Sequence, residues 1–237
     1  MKKFKFLILI IYLALMLTGA GYAYWTDSLA VNTTVSTGEL SVRFEKNELN
    51  GLKFPEIKTS KYVMDSSLKI GNDDSILTDD NVATVNVPNL YPGAWIAYRL
   101  KAVNSGTIPV KISDVDFQIT CDEANLLNYM AYEAGIGIDA DGDKVIDKHV
   151  KFKGELKNFK TDLNNNLNSS GMKNIEIKPG GGIYFYIPEG EEAPDLDNDN
   201  ISDRFMIIRF NEDAPSSTQN KTIKFNYTVN FKQFNAN

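Results

Sequence analysis

The chain has 237 residues, a formal net charge of −6, a single cysteine and a single histidine. An acidic balance argues against nucleic-acid or anionic-membrane binding, which needs clustered Lys and Arg. One cysteine, Cys121, excludes an intramolecular disulfide and reads as a buried small hydrophobe, so stability must come from a large core.

Met1 to Lys5 form a short basic region, Phe6 to Leu17 an uncharged apolar run broken only by Tyr12, and Thr18 to Gly21 a small-residue end. That is the pattern of a secretory signal peptide, residues 1–23, with Gly21 and Ala23 placing the cut after Ala23 or one residue later. The run is shorter than the ~20 residues of a comfortable membrane span. Cleavage removes Lys2, Lys3 and Lys5 and takes the charge from −6 to −9. The expected location is therefore outside the cell, secreted or on its surface.

Residues 24–36 follow as an amphipathic strand that must pair with a sheet edge, its own or a neighbour's. Trp25, Leu29, Val31 and Val35 share one face, with Asp27 the polar intruder among them. Leu40, Val42 and Phe44 continue the alternation, and 37–237 is expected to be a single domain. The stretch 45–81 is poorly patterned and is expected to hold little regular structure. Ile96, Tyr98, Leu100 and Ala102 alternate with Arg99 and Lys101. After a turn at Asn104, Ser105 and Gly106, Ile108, Val110 and Ile112 alternate until the phase flips to Val115, Phe117 and Ile119. The flip predicts a bulge near Ser113 and Asp114. Leu126, Leu127, Met130 and Ala131 predict a helix over 122–134, and a second short helix is expected around 155–163. Residues 182–188, 204–210 and the clean alternation of Ile223, Phe225, Tyr227, Val229 and Phe231 complete the strands. Many antiparallel strands joined by turns predict an all-β sandwich with one or two short helices and long loops.

Two loops repeat one spacing of acidic residues. The first holds Asp139, Asp141, Asp143, Val145 and Asp147; the second holds Asp195, Asp197, Asp199, Ile201 and Asp203. Carboxylates at loop positions 1, 3, 5 and 9, with the backbone carbonyl of position 7, give the all-oxygen donor set that Ca²⁺ requires. Position 6, where calcium loops turn sharply, is Lys144 in the first and Asn200 in the second. Asn tolerates the left-handed conformation better than Lys, which makes the second loop the stronger candidate. A bound Ca²⁺ would be structural.

Gly19, Gly21, Tyr22, Ala23, Trp25, Asp27, Thr37, Gly38, Leu40 and Val42 form one block that resembles the N-terminus of the TasA/camelysin family of exported bacterial proteins. Asn89-Leu90-Tyr91-Pro92-Gly93 followed by Asn104-Ser105-Gly106, and the closing strand 225–233, resemble further family elements, with Ala94 where an Asp is usual. The resemblance does not cover 121–203. It implies processing by a SipW-type signal peptidase, a jelly-roll-like β-sandwich, and assembly of identical subunits head to tail into biofilm-matrix fibres. In such fibres the 24–36 segment is added as a strand to the next subunit. Because camelysin is described as a metalloprotease, a secreted metal-dependent peptidase is the alternative, and a monomeric calcium-stabilised surface module is another. His149 is the only histidine, no H-E-x-x-H occurs, and zinc centres draw on several His or Cys ligands, so the expectation is a non-enzyme.

Overall fold

Alternating strands with one apolar face must stack two sheets to bury it. The computed structural model, which describes residues 11–16, 38–49, 51–61, 63, 65–70, 81–196 and 203–235, has this architecture. Residues 11–16 are helical, and among the described residues no helix is long and apolar enough to cross a membrane. Gly38–Asn237 forms a compact unit of its own.

In chain order the strands are β1 (Val42–Phe44), β2 (Asn47–Leu49), β3 (Leu52–Phe54), β4 (Glu56–Thr59), β5 (Ser67–Ile70), β6 (Val82–Leu90), β7 (Trp95–Asn104), β8 (Val110–Cys121), β9 (Met130–Asp139), β10 (Lys148–Glu155), β11 (Gly182–Phe185), β12 (Met206–Phe210) and β13 (Lys221–Gln233). One sheet runs β1-β7-β11-β9-β10, with β12 sharing the slot of β11 between β7 and β9, and β4 sharing the slot of β1. The other runs β5-β6-β13-β8, and every pairing is antiparallel. From β6 to β9 the chain changes sheet at each connection, and β13 returns to the second sheet beside β6 and β8. The fold is an antiparallel β-sandwich of jelly-roll type.

The inward residues are those the alternation marks: Ile96, Tyr98, Leu100 and Ala102 face Ile223, Phe225, Tyr227 and Val229 across the core. Tyr98 and Tyr227, fully buried on opposite sheets, share a hydrogen bond of 2.7 Å between their hydroxyls. Burial holds both phenols far above their ordinary range. Replacing Tyr98 alone by Phe strands the Tyr227 hydroxyl and should cost about 1–3 kcal/mol, whereas the double Phe variant should recover most of that loss. Urea unfolding of the two singles and the double measures the cycle.

The expected bulge is present. Asn230 pairs with Asp114 and Phe231 with Ile112, so Ser113 is skipped and β8 changes phase without ending. Two expectations need correction. The helix over 122–134 is a 3-10 turn at Ala124–Tyr129, after which Met130 opens β9, with Met130, Tyr132, Ala134, Ile136 and Ile138 all turned into the core. Residues 45–81 are not structureless: they hold β2 to β5, strands of three or four residues. The weak second helix exists but lies further on, at Phe159–Ser169, preceded by a 3-10 turn at Leu156–Asn158.

That helix closes one side of the sandwich. Phe159 wedges between Phe117 of β8 and Tyr132 of β9, with ring centroids at 4.5 and 4.8 Å. One turn later the Asn164 amide acts as a substitute strand: it accepts from Val115 N (3.2 Å) and donates to Val115 O (2.9 Å) at the outer edge of β8.

The second face of the larger sheet is also covered. The β2–β3 hairpin lays Leu49 and Phe54 over Tyr184 and Tyr186. Arg99 and Lys101, which the alternation assigns to the polar face, are therefore buried rather than solvated. Each finds a carboxylate flanking the hairpin: Arg99 pairs with Glu56, and Lys101 with Glu45 at 3.4 Å. Arg99 also stacks on Phe205 at 4.0 Å. Desolvation lowers the pKa of both cations, and the glutamates oppose that.

Candidate metal centre

β9 delivers Asp139 at its last, fully buried position, and the chain then turns back into β10 at Lys148. The turn is held by its own carboxylates. Asp139 accepts from Gly142 N (2.7 Å) and Lys144 N (3.1 Å), Asp141 from Asp143 N (3.3 Å), and Asp143 from Val145 N (2.7 Å). Asp147 closes the loop by accepting from Ala140 N at 2.7 Å while its own amide donates to Ile138 O at 2.8 Å.

Gly142 and Lys144 both have positive φ, +83° and +68°. The position-6 residue thus takes the sharp-turn conformation although it is a lysine. Two amide donors to Asp139 hold the turn in place. A Cβ at residue 142 would lie 2.9 Å from the Gly180 carbonyl carbon, so the loop packs tightly on its neighbour.

One oxygen from each of Asp139, Asp141 and Asp147 lies within 4.8 Å of the other two. Two oxygens each ~2.4 Å from a common Ca²⁺ are separated by no more than about twice that distance, a limit that each pair of the three meets. Asp143 is not in this group, and its carboxylate accepts from the Val145 amide; Val145 is at the surface, 59% exposed. Burial raises the Asp139 pKa, against the pull of the Gly142 and Lys144 amides and of Lys101. A carboxylate whose charged form is disfavoured by burial gains from a nearby cation.

The second loop is seen at its ends. Asp197, Asp199 and Ile201 lie outside the described residues, as do Trp25, Leu29, Val31 and Val35. Its closure nevertheless repeats the first loop: Asp203 N donates to Pro194 O at 2.9 Å, and Asp203 accepts from Leu196 N at 2.6 Å. The difference is Lys58, whose ammonium binds the remaining Asp203 oxygen. Asp203 is thereby paired with a cation as well as with a backbone amide. Among the described residues Asp147 has no such lysine partner.

Sequence patterning missed Lys101 and Tyr184. They sit side by side in register on β7 and β11, with the Lys101 ammonium 4.9 Å from the Tyr184 ring centre. The only local signal was their place on the face taken as polar. His149 is exposed and faces Glu191 at 3.8 Å, outside the acidic group. Cys121 is half-buried at the end of β8, where its thiol donates to Glu123 O at 3.2 Å and burial raises its pKa.

The chain matches no protein-family model, and no curated protein matches it at a significant level.

Proposed function

We propose that this protein is an exported structural subunit that assembles head to tail into extracellular fibres through residues 24–36, with Ca²⁺ at the Asp139 loop as a rigidifying ion. The observation that carries the reading is the amphipathic pattern of residues 24–36, with Trp25, Leu29, Val31 and Val35 on one face. A strand with one apolar face needs a sheet edge to pair with. Supplied to the neighbouring subunit, it makes a heterologous contact that repeats without closing, and such contacts grow filaments.

The described edges of the sandwich agree with controlled assembly. β10 carries Lys148, His149, Lys151 and Lys153, β8 is capped by Asn164, and the slot of β1 and β4 is split by the hairpin between them. Short, charged or covered edges resist indiscriminate pairing, so a dedicated strand would be needed to join subunits. Processing by a SipW-type signal peptidase, implied by the resemblance at 19–42, would free that strand.

Electron microscopy of the purified protein with and without residues 24–36 tests the proposal. Filaments are expected from the first and none from the second; filaments unchanged by the deletion would remove strand donation. A monomeric calcium-stabilised module is the second reading, favoured by the same blunted edges, and it predicts no filaments from either form.

A further inference from the structure

We propose that Lys58 and Asp203 condense to an intramolecular isopeptide bond, a covalent strut across the outer face of the larger sheet. β4 and β12 lie on opposite sides of β7, where Ala97 pairs with Lys58 on one side and with Ile207 on the other. Ala97, Phe205 and Ile207 form a buried cluster of their own on that face, apart from the main core. Lys58 reaches over the small Ala97 to Asp203, three residues ahead of β12, and its Nζ lies 2.5 Å from Oδ1. The two residues are 145 positions apart in sequence. The inference stands apart from how subunits assemble and from any bound ion.

The surroundings separate this contact from a surface ion pair. The Asp203 side chain is 10% exposed and that of Lys58 31%. The fully buried Phe205 ring carries two cations: Lys58 Nζ lies 5.5 Å and Arg99 Cζ 4.0 Å from its centre. Arg99 donates from Nε and Nη2 to Glu56, at 3.1 and 2.5 Å. Its Nη1 is buried and has no hydrogen-bond partner among the described residues. With little water present and a second cation on the same ring, the neutral amine–acid pair comes within reach of the ion pair. Lys160 and Asp116 are the internal comparison. They are also 2.5 Å apart, but their side chains are 56% and 24% exposed, and the Lys160 hydrogen bond holds the Asp116 carboxyl below its ordinary range. Solvent keeps that pair ionic.

The step balances without a co-reactant. The Lys58 ammonium passes a proton to Asp203 Oδ1, and the amine lone pair attacks Cγ. The bond from Cγ to Oδ1 breaks, and that oxygen leaves as water with two of the ammonium protons. The third stays on the new amide nitrogen. During attack, negative charge develops on Oδ2. That oxygen already accepts from Leu196 N at 2.6 Å, so a backbone donor is in place before the reaction begins. The product ties β4 to the entry of β12 and closes the chain between them into one loop. A cross-link of that span restrains the unfolded chain, more so the longer the loop.

Intact-mass spectrometry of the purified, denatured protein tests the bond. Lys58→Arg keeps a cation facing Asp203 and should fold, but it cannot form the amide. It should outweigh the parent by one water more than the substitution accounts for, wherever the chain is processed. Tryptic digestion places the loss. In the parent, the peptides holding Lys58 and Asp203 should appear as one branched species, with no cleavage after Lys58. Those holding Lys160 and Asp116 should stay separate. On a denaturing gel the looped parent should run ahead of Lys58→Arg, and its urea midpoint should be the higher of the two. A parent at full mass that trypsin cuts after Lys58 overturns the proposal and leaves an ion pair only. A water loss that persists in Lys58→Arg overturns it as well, since the loss then lies elsewhere in the chain.

Discussion

Asp139→Asn is expected to erase the calcium-dependent part of this protein's stability. Extracellular calcium sites bind with dissociation constants near ~10⁻⁴–10⁻³ M. An ion held 100-fold above its dissociation constant stabilises the folded state by about 2.7 kcal/mol. For a domain of this size that is a rise of about 5–10 °C in melting temperature. Asn keeps an acceptor for the Gly142 or Lys144 amide but removes the charge at the buried end of the loop. The loop should therefore still form, and the calcium shift should vanish. Asp143→Asn should lose much less, because that carboxylate lies outside the group formed by Asp139, Asp141 and Asp147. Asp203→Asn should leave the shift in place, because the Lys58 ammonium already pairs with the charge of that carboxylate. Thermal unfolding in CaCl₂ and in chelator, for each variant, distinguishes these outcomes. A full shift in Asp139→Asn would move the ion elsewhere.

The sandwich was legible wherever a strand had one core face and one wet face. Ile223 to Phe231 and Ile96 to Ala102 announce themselves that way, and the phase flip at Ser113 was enough to place a bulge inside a continuous β8. β9 was hidden because its outer face is polar only at Glu133 and Asp139. Gly135 and Gly137 stand there, and a Cβ at residue 135 would lie 2.4 Å from Tyr186 O. Glycine on one face and Met130, Ala134 and Ile136 on the other do not alternate in polarity, so the helical spacing of Leu126, Leu127, Met130 and Ala131 prevailed. β2 to β5 were hidden by length: three or four residues give too few alternations to stand out.

The loop residues were legible as a set because their spacing is local, and backbone wrapping brings local carboxylates together. Their distant partners were not legible. Lys58 lies 145 positions from Asp203, and only the fold brings them near. The β2–β3 hairpin is the reason Lys101 and Arg99 change meaning. Without it they are solvated charges on a sheet face. Beneath it they become buried cations that need Glu45 and Glu56. A buried pair of this kind strongly penalises loss of either partner while adding little over an apolar pair, so its value lies in fixing where the hairpin sits.

The largest single loss of stability is expected from Phe159→Ala. The ring is 2% exposed and touches both sheets, with Phe117 at 4.5 Å, Tyr132 at 4.8 Å, and Phe152 and Tyr227 at 6.1 and 6.2 Å. Truncating a buried Phe costs about 3–5 kcal/mol through lost transfer energy and the cavity left behind. Domains rarely hold more than about 5–15 kcal/mol in total, so urea unfolding should register a large fall. The consequence for assembly is as informative as the loss. Phe159 anchors the start of the helix that carries Asn164, and a loosened helix withdraws the amide from Val115. The edge of β8 then offers unpaired backbone groups, which invites pairing with other chains. Asn164→Ala isolates that second effect, since it uncovers the edge at the cost of about 1–3 kcal/mol without opening the core. If subunits join through residues 24–36, Asn164→Ala should add amorphous aggregates and leave filament growth as it was. Faster growth of regular filaments in Asn164→Ala would make β8 the assembling edge and the helix its guard.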